Sequence, residues 1–351
     1  MPEQHHEATP SPLVGVSYVM PVLNDASHVR QAVESILAQD YEGPVEVLIA
    51  LGPSIDGTSE LVADLAERDP RVRVLDNEVG STPAGLNLGI RAAVHPVVVR
   101  VDSHSMLPTD YTRIAVDVLE RTGADNVGGI MDAQGETPFQ QAVALAYTTK
   151  VGLGGSSFHV GGQAGPVDTV YLGVFRREAL LRVGLFDERI KRGQDWELNR
   201  RLRADGGVVW FTPELAVTYR PRATLERLAR QMFSTGLWRG ELARSFPGTS
   251  GIRYFVPPVM VVGVLVGFVL GLIGLVQVAI GATPWLLLGF IVPVVYLLFV
   301  ILATLVYARG HGLRTALWFL VVLPCIHVSW GAGFVPGYLA LTSNIAQHTG
   351  R

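Results

Sequence analysis

The stretch Val45-Glu46-Val47-Leu48-Ile49-Ala50-Leu51-Gly52-Pro53-Ser54-Ile55-Asp56-Gly57-Thr58 decides the fold. Its first seven residues read as a buried strand that Gly52-Pro53 stops, and a helix over Ser59–Asp69 follows. The same pairing recurs on both sides. Val14–Met20 is a strand and His28–Gln39 a helix; Val72–Leu75 is a short strand, Pro83–Val94 a helix and Val97–Val101 a strand. Strands separated by helical segments of this length predict a parallel sheet with right-handed crossovers. Ligands bind beyond the carboxyl ends of such strands. The residues found there are Pro21-Val22-Leu23-Asn24-Asp25, then Ser54-Ile55-Asp56-Gly57-Thr58, then Asp102-Ser103-His104. One Asp in such a place also reads as a turn or N-cap residue. Three polar strand ends on one edge point to a nucleotide site. No Gly-x-Gly-x-x-Gly follows the first strand and no Gly-x-x-x-x-Gly-Lys-Ser/Thr occurs, which counts against dinucleotide oxidoreductases and P-loop NTPases.

Composition divides the 351 residues in two. Charged residues are 17% of the chain, against about 25% in soluble domains. Residues 1–241 hold all 31 acids and 23 Lys+Arg, a net of −8, whereas 242–351 hold five Arg and no acid. An acidic head argues against nucleic acid as the partner. The lone Cys325 excludes disulfides and structural zinc clusters, and reads as a small buried apolar residue. Met1 to Pro12 has no apolar segment of signal-peptide type, so it reads as a disordered leader and the head as cytoplasmic.

Three uncharged runs follow, from about Phe255 to Ile280, Trp285 to Ala308 and Thr315 to Leu341. Each is long enough to cross a ~30 Å hydrocarbon core. Pro324 and the small residues Gly331, Ala332 and Gly333 predict a kink or a close helix approach in the third. Arg220, Arg222, Arg227, Arg230, Arg239, Arg244 and Arg253 precede the first run, and Arg309 and Arg314 lie between the second and third. The first hairpin turn has none, which places the head and second loop in the cytoplasm and the C-terminus outside. Residues 223–246 mix Leu225, Leu228, Met232, Phe233, Leu237, Trp238, Leu242 and Phe246 with several Arg. That pattern reads as an amphipathic helix on the inner membrane surface.

Several motifs now stand in order: Pro21…Asn24-Asp25, Ser54-Ile55-Asp56-Gly57-Thr58, Gly85-Leu86-Asn87-Leu88-Gly89-Ile90 and Asp102-Ser103-His104. This series resembles the family 2 inverting glycosyltransferases, which have the GT-A fold. Val167–Glu178, Val183–Glu188 and Gln194-Asp195-Trp196-Glu197-Leu198-Asn199-Arg200-Arg201-Leu202 look like the acceptor side of the succinoglycan-synthesis branch of bacterial membrane enzymes. The resemblance spans about residues 13–245. With the runs above it predicts a disordered leader (1–12), a Rossmann-like, mostly parallel GT-A catalytic domain (13–222), an interfacial helix region (223–253), three transmembrane helices (254–342) and a tail (343–351).

What the resemblance implies is specific. The donor is a nucleotide-diphosphate sugar, most often UDP-linked. Asp25 and Asp56 match positions that contact uracil and ribose, Pro21 and Val22 wall the base, and Asn24, Asn87 and Asp102 complete the donor-binding set. Asp102 and His104 occupy the Asp-x-Asp position, and residues two apart at a strand tip share one side, so both reach one divalent ion. The family usually has a second Asp where this chain has His104, and imidazole favours Mn²⁺ over Mg²⁺. Asp195 matches the catalytic base, with Gln194 replacing the usual Glu. Relatives carry Gln-x-x-Arg-Trp on an interfacial helix; here Gln231, Trp238 and Arg239 supply those residue types in another order, as acceptor or diphosphate contacts or as membrane anchors. The implied activity is sugar transfer to a polyprenyl-linked acceptor at the cytoplasmic face of the inner membrane. A polyprenyl-monophosphate sugar synthase, a processive polysaccharide synthase and a non-catalytic scaffold are the alternatives.

Overall fold

A computed structural model describes residues 13–342; the leader over 1–12 and the tail over 343–351 lie outside the described residues. In chain order the elements are β1 (Val16–Val22), α1 (Val29–Leu37), β2 (Val45–Leu51), α2 (Thr58–Arg68), β3 (Val72–Asp76), α3 (Thr82–Ala92), β4 (Val97–Arg100), α4 (Tyr111–Thr122) and β5 (Asn126–Ala133). There follow α5 (Pro138–Tyr147), α6 (Ser157–Val160), β6 (Gly165–Pro166), β7 (Tyr171–Arg176), α7 (Arg177–Arg182), α8 (Gln194–Ala204) and β8 (Val209–Tyr219). The last four helices are α9 (Leu225–Ser245), α10 (Val256–Ala279), α11 (Ile291–Tyr307) and α12 (Leu313–Tyr338). Among the described residues two compact units emerge, each discontinuous in sequence: 13–130 with 163–217, and 131–162 with 218–342. Residues 131–162, which the sequence reading leaves within the catalytic domain over 13–222, group by packing with the apolar helices.

The sheet has the order β3-β2-β1-β4-β7-β5-β8-β6. β1 pairs in parallel with β2 and β4, and β2 with β3. Beyond β4 the observed pairings, β4 with β7, β5 with β7 and β6 with β8, are antiparallel. The parallel expectation therefore holds for the half whose strand ends carry the polar motifs. Val47, Leu48, Ile49 and Ala50 are consecutive and all fully buried, so both faces of β2 are covered, as parallel strands require. Val47, Leu48 and Ile49 each contribute roughly 1.5–3 kcal/mol by leaving water. β1 continues two residues past Met20, because Pro21 and Val22 stay in register with Ala50 and Leu51 of β2. Val22 is accordingly a core residue. The Gly85…Gly89 motif sets the height of α3 on this sheet. A Cβ at Gly89 would lie 2.3 Å from the Val19 side chain of β1.

In the second unit, α10, α11 with the turn before it, and α12 are each long and apolar enough to cross a membrane. The first two expose most of their apolar side chains; α12 buries Phe319, Val322, Leu323, Ile326 and Phe334. The helix expected on the membrane surface, α9, lies along α12, and Leu228, Met232, Leu237 and Leu242 are buried. Small residues make that contact possible. A Cβ at Gly236 would fall 2.0 Å from the Trp330 carbonyl, and one at Gly337 would fall 2.0 Å from the Leu237 carbonyl. A Cβ at Gly331 would fall 2.7 Å from the Pro257 carbonyl of α10, so the small residues read in the third run serve close helix approach. Backbone cannot retreat as a side chain can. Gly236→Val is expected to destabilise this unit by about 3 kcal/mol, at the upper end for overpacking. Melting of the detergent-solubilised chain checks it.

Candidate active site

The parallel strands end in loops that bond one another. Asn24 adopts a left-handed φ of 50°, a conformation Asn tolerates well. There its Oδ1 accepts from the Ile55 amide at 2.9 Å, while its own amide donates to Ser54 Oγ at 3.0 Å. Asp56 answers from the other loop, accepting the Ala26 amide at 3.1 Å and the Thr58 amide at 3.2 Å. Hydrogen bonds from Thr58 and Ala26 lower its pKa. Asn24 and Asp56 thus join the β1 and β2 loops to each other. Pro21, at the end of β1, is partly exposed behind them.

Asp25 ties the β1 loop to the loop after β4. Ser103 Oγ donates to its Oδ2, His28 Nδ1 lies 2.6 Å from its Oδ1, and His104 Nδ1 lies 3.7 Å from its Oδ2. Burial raises the Asp25 pKa, but the contacts from His104, Ser103 and His28 outweigh it and hold the carboxyl well below the usual range. A depressed folded-state pKa stabilises the fold above the unfolded carboxyl pKa of about 4 and loses that contribution as pH falls through the folded value. Asp25→Asn is therefore expected to cost about 1.5–3 kcal/mol at pH 7. The gap between variant and wild type should narrow below about pH 4. Paired melting curves at pH 7 and 3.5 measure it.

Asp102 follows β4 and Asp195 opens α8, and one side chain joins them. Arg100, the last residue of β4, donates from Nη2 to Asp102 Oδ1 at 3.0 Å and from Nη1 to Asp195 Oδ1. The guanidinium is 8% exposed, Asp102 23% and Asp195 35%, so both carboxylates stay open to solvent while the cation is enclosed. Burial opposes the Arg100 charge, but Asp195 and Asp102 outweigh it and raise its pKa. α8 begins after Gly193, a left-handed residue, and no side chain caps it. Asp195 is thus not an N-cap; its negative charge still suits the helix N-terminus. Further along α8, buried Glu197 pairs with Arg200 and Arg201, and Arg201 bonds the Val183 and Leu185 carbonyls. These residues brace the loop before the helix.

Asn87 is 2% exposed. Its amide nitrogen donates to the Phe186 carbonyl at 2.9 Å and to Glu188 at 2.8 Å, and its oxygen accepts from the Phe186 amide. Its amide is engaged with the 186–188 segment. Gln231, Trp238 and Arg239 lie on α9, in the second unit. Gln231 donates to Tyr219 Oη at 3.1 Å and accepts from Arg222, Trp238 is 6% exposed, and the Arg239 guanidinium sits 3.5 Å above the Tyr254 ring. His159 belongs to the same unit; burial, with Arg253 adding, pushes its pKa down to about 4.

Among the described residues no group of three His, Cys, Asp or Glu forms a cation site. Asp102 and His104 nevertheless suit a divalent ion whose remaining ligands come from a diphosphate, since Mg²⁺-type sites use one or two protein donors plus phosphate oxygens. His104 has Asp25 beside it, the carboxylate–imidazole pairing usual behind a metal-bound His. The sequence reading gives no role to Arg100, Ser103 or His28, although it quotes Ser103 within the motif after β4. The signal for Arg100 was present, a cation interrupting the apolar run Val97–Val101.

Residues 17–184 match the profile of Glycosyl transferase family 2. The chain is 34% identical over 241 residues to the succinoglycan biosynthesis protein ExoA of Rhizobium meliloti (strain 1021), covering 68% of this chain and 73% of that protein. A Methanococcus voltae enzyme is 24% identical over 238 residues, covering 65% of this chain and 74% of its own length. Its name is dolichyl N-acetyl-alpha-D-glucosaminyl phosphate 3-beta-D-2,3-diacetamido-2,3-dideoxy-beta-D-glucuronosyltransferase. The structure of mannosyltransferase PcManGT from Pyrobaculum calidifontis, solved with GDP-Man and Mn²⁺, superposes with a TM-score of 0.56 at 16% identity over 93% of this chain and 88% of that one. That likeness is one of fold. With its ordered motifs, its GT-A-like sheet and a relative matched over most of its length, the chain belongs to glycosyltransferase family 2.

Proposed function

We propose that the protein is an inverting, membrane-bound hexosyltransferase that moves one sugar from a nucleotide-diphosphate sugar, UDP-linked by preference, to a polyprenyl-linked acceptor. The observation that carries this reading is the placement of Asp195 and Asp102 on one buried guanidinium at the sheet edge. A solvent-open carboxylate beside the diphosphate end of the site is what single displacement requires. Asp195 takes the acceptor hydroxyl proton as that oxygen bonds to the anomeric carbon. The bond from the anomeric carbon to the diphosphate oxygen breaks, and the nucleoside diphosphate leaves.

Asp102 and His104 would hold the divalent cation, Mn²⁺ in preference to Mg²⁺. When bound, it supplies positive charge against the leaving diphosphate. Asp25, Asn24, Asp56, Pro21 and Val22 would form the nucleotide side, and Asn87 would act through the 186–188 segment. Gln231, Trp238 and Arg239 would serve the acceptor or its diphosphate. The names of the two relatives support a polysaccharide or lipid-linked acceptor. The Arg distribution favours a catalytic domain in the cytoplasm and a C-terminus outside, and the likeness to the Rhizobium meliloti protein supports a bacterial inner membrane.

The test is a screen of nucleotide sugars with the purified chain and native lipid extract, the lipid product being weighed by mass spectrometry. A lipid heavier by one sugar residue, formed only with a divalent cation, is expected. A polymer, or free sugar with no lipid product, would overturn the reading.

A further inference from the structure

Arg100 poses a difficulty for a cation site. A guanidinium 8% exposed and bonded at 3.0 Å to the carboxylate that would bind a divalent ion repels that ion and occupies its ligand. Like charges a few ångströms apart cost appreciable affinity even when screened. The same guanidinium spends its other nitrogen on Asp195, so two carboxylates from β4 and α8 share one planar cation. Arg is suited to this because its fork presents donors in fixed directions, which Lys does not. Because Arg100 is bonded to Asp195 as well, it can give up Asp102 and still keep a counterion.

We propose that Arg100 is a positioning residue that holds Asp195 aimed, and that competes with the divalent cation for Asp102. In the unloaded protein Arg100 bridges both carboxylates. When donor and cation arrive together, Asp102 turns to the cation and Arg100 remains paired with Asp195 alone. Cation binding is thereby weak without the donor and strengthened by it. The inference rests on the reading of Asp102 as a cation ligand.

Two readouts with opposite signs separate this from a merely structural role. Mn²⁺ binding to the full chain in detergent, without nucleotide sugar, is followed by the electron paramagnetic resonance of free Mn²⁺; turnover and KM are measured alongside. Arg100→Met is expected to bind Mn²⁺ on the order of tenfold more tightly, as loss of one charge-assisted bond implies, while kcat falls about a hundredfold and the donor KM changes little. Arg100→Lys keeps the charge and should bind Mn²⁺ as the wild type does, with kcat still reduced. Asp195→Asn, nearly isosteric, removes the second counterion and should weaken Mn²⁺ binding several-fold; it serves if the buried Arg100 variants fail to fold. Unchanged or weaker Mn²⁺ binding by folded Arg100→Met, or unchanged binding by Asp195→Asn, overturns the proposal while leaving Asp102 as a cation ligand. Failure of every form to bind Mn²⁺, with UDP added as well as without it, overturns both.

Discussion

Asp195→Asn is expected to lower kcat by about a thousandfold, the middle to upper range for loss of a general base, with the donor KM within a few-fold of wild type. The amide keeps the shape of the carboxylate but cannot accept the acceptor proton. Asp195 is the one carboxylate of the set on the helix α8, whereas Asp25, Asp56 and Asp102 follow the strands of the donor half. It is also 35% exposed, so an acceptor can reach it. The Asn side chain retains an oxygen for Arg100, and the fold should survive with its melting point little changed. If instead the acceptor nucleophile were a lipid phosphate, which needs little base assistance, turnover would persist in Asp195→Asn.

Asp102→Ala carries the second large effect. It removes the carboxylate that would neutralise and orient a divalent ion on the diphosphate, a contribution worth several kcal/mol in metal-assisted reactions. A fall in kcat/KM of at least about a hundredfold is expected, with the residual rate no longer responsive to Mn²⁺. Asp102→Ala also leaves Arg100 paired with Asp195 only. His104→Asp, which restores the pattern usual in the family, is expected to keep activity and to raise the response to Mg²⁺ relative to Mn²⁺, because hard cations favour oxygen donors. Initial rates across a series of cation concentrations distinguish these outcomes.

Much of this arrangement was legible from local pattern. The apolar runs ending in Asn24-Asp25, Asp56 and Asp102 read as strands because both faces of a parallel sheet are buried, and the polar residue that ends each run stands at the ligand edge. Acid-free runs of the length of α10, α11 and α12 declare themselves by composition alone. Other features depend on long-range pairing that no local window holds. That Arg100 reaches Asp195, 95 residues away, follows only from the docking of α8 beside β4. Asn87 has the composition of a ligand-binding residue, yet its amide is engaged by backbone 99 residues on. The apolar face of α9 looks the same whether it meets lipid or another helix; the glycines at 236 and 337 favour the helix, but their partners lie in a segment about 100 residues distant. The grouping of 131–162 with the apolar helices is of the same kind.

The central claim is single displacement at the anomeric carbon with Asp195 as base, and the anomeric configuration of the product tests it most directly. With an α-linked nucleotide sugar as donor, the proton coupling at the new linkage should report a β-glycoside, the inverted configuration. An α-linked product would mean retention, which a single backside displacement cannot give, and would contradict both the assignment of Asp195 and the mechanism built on it.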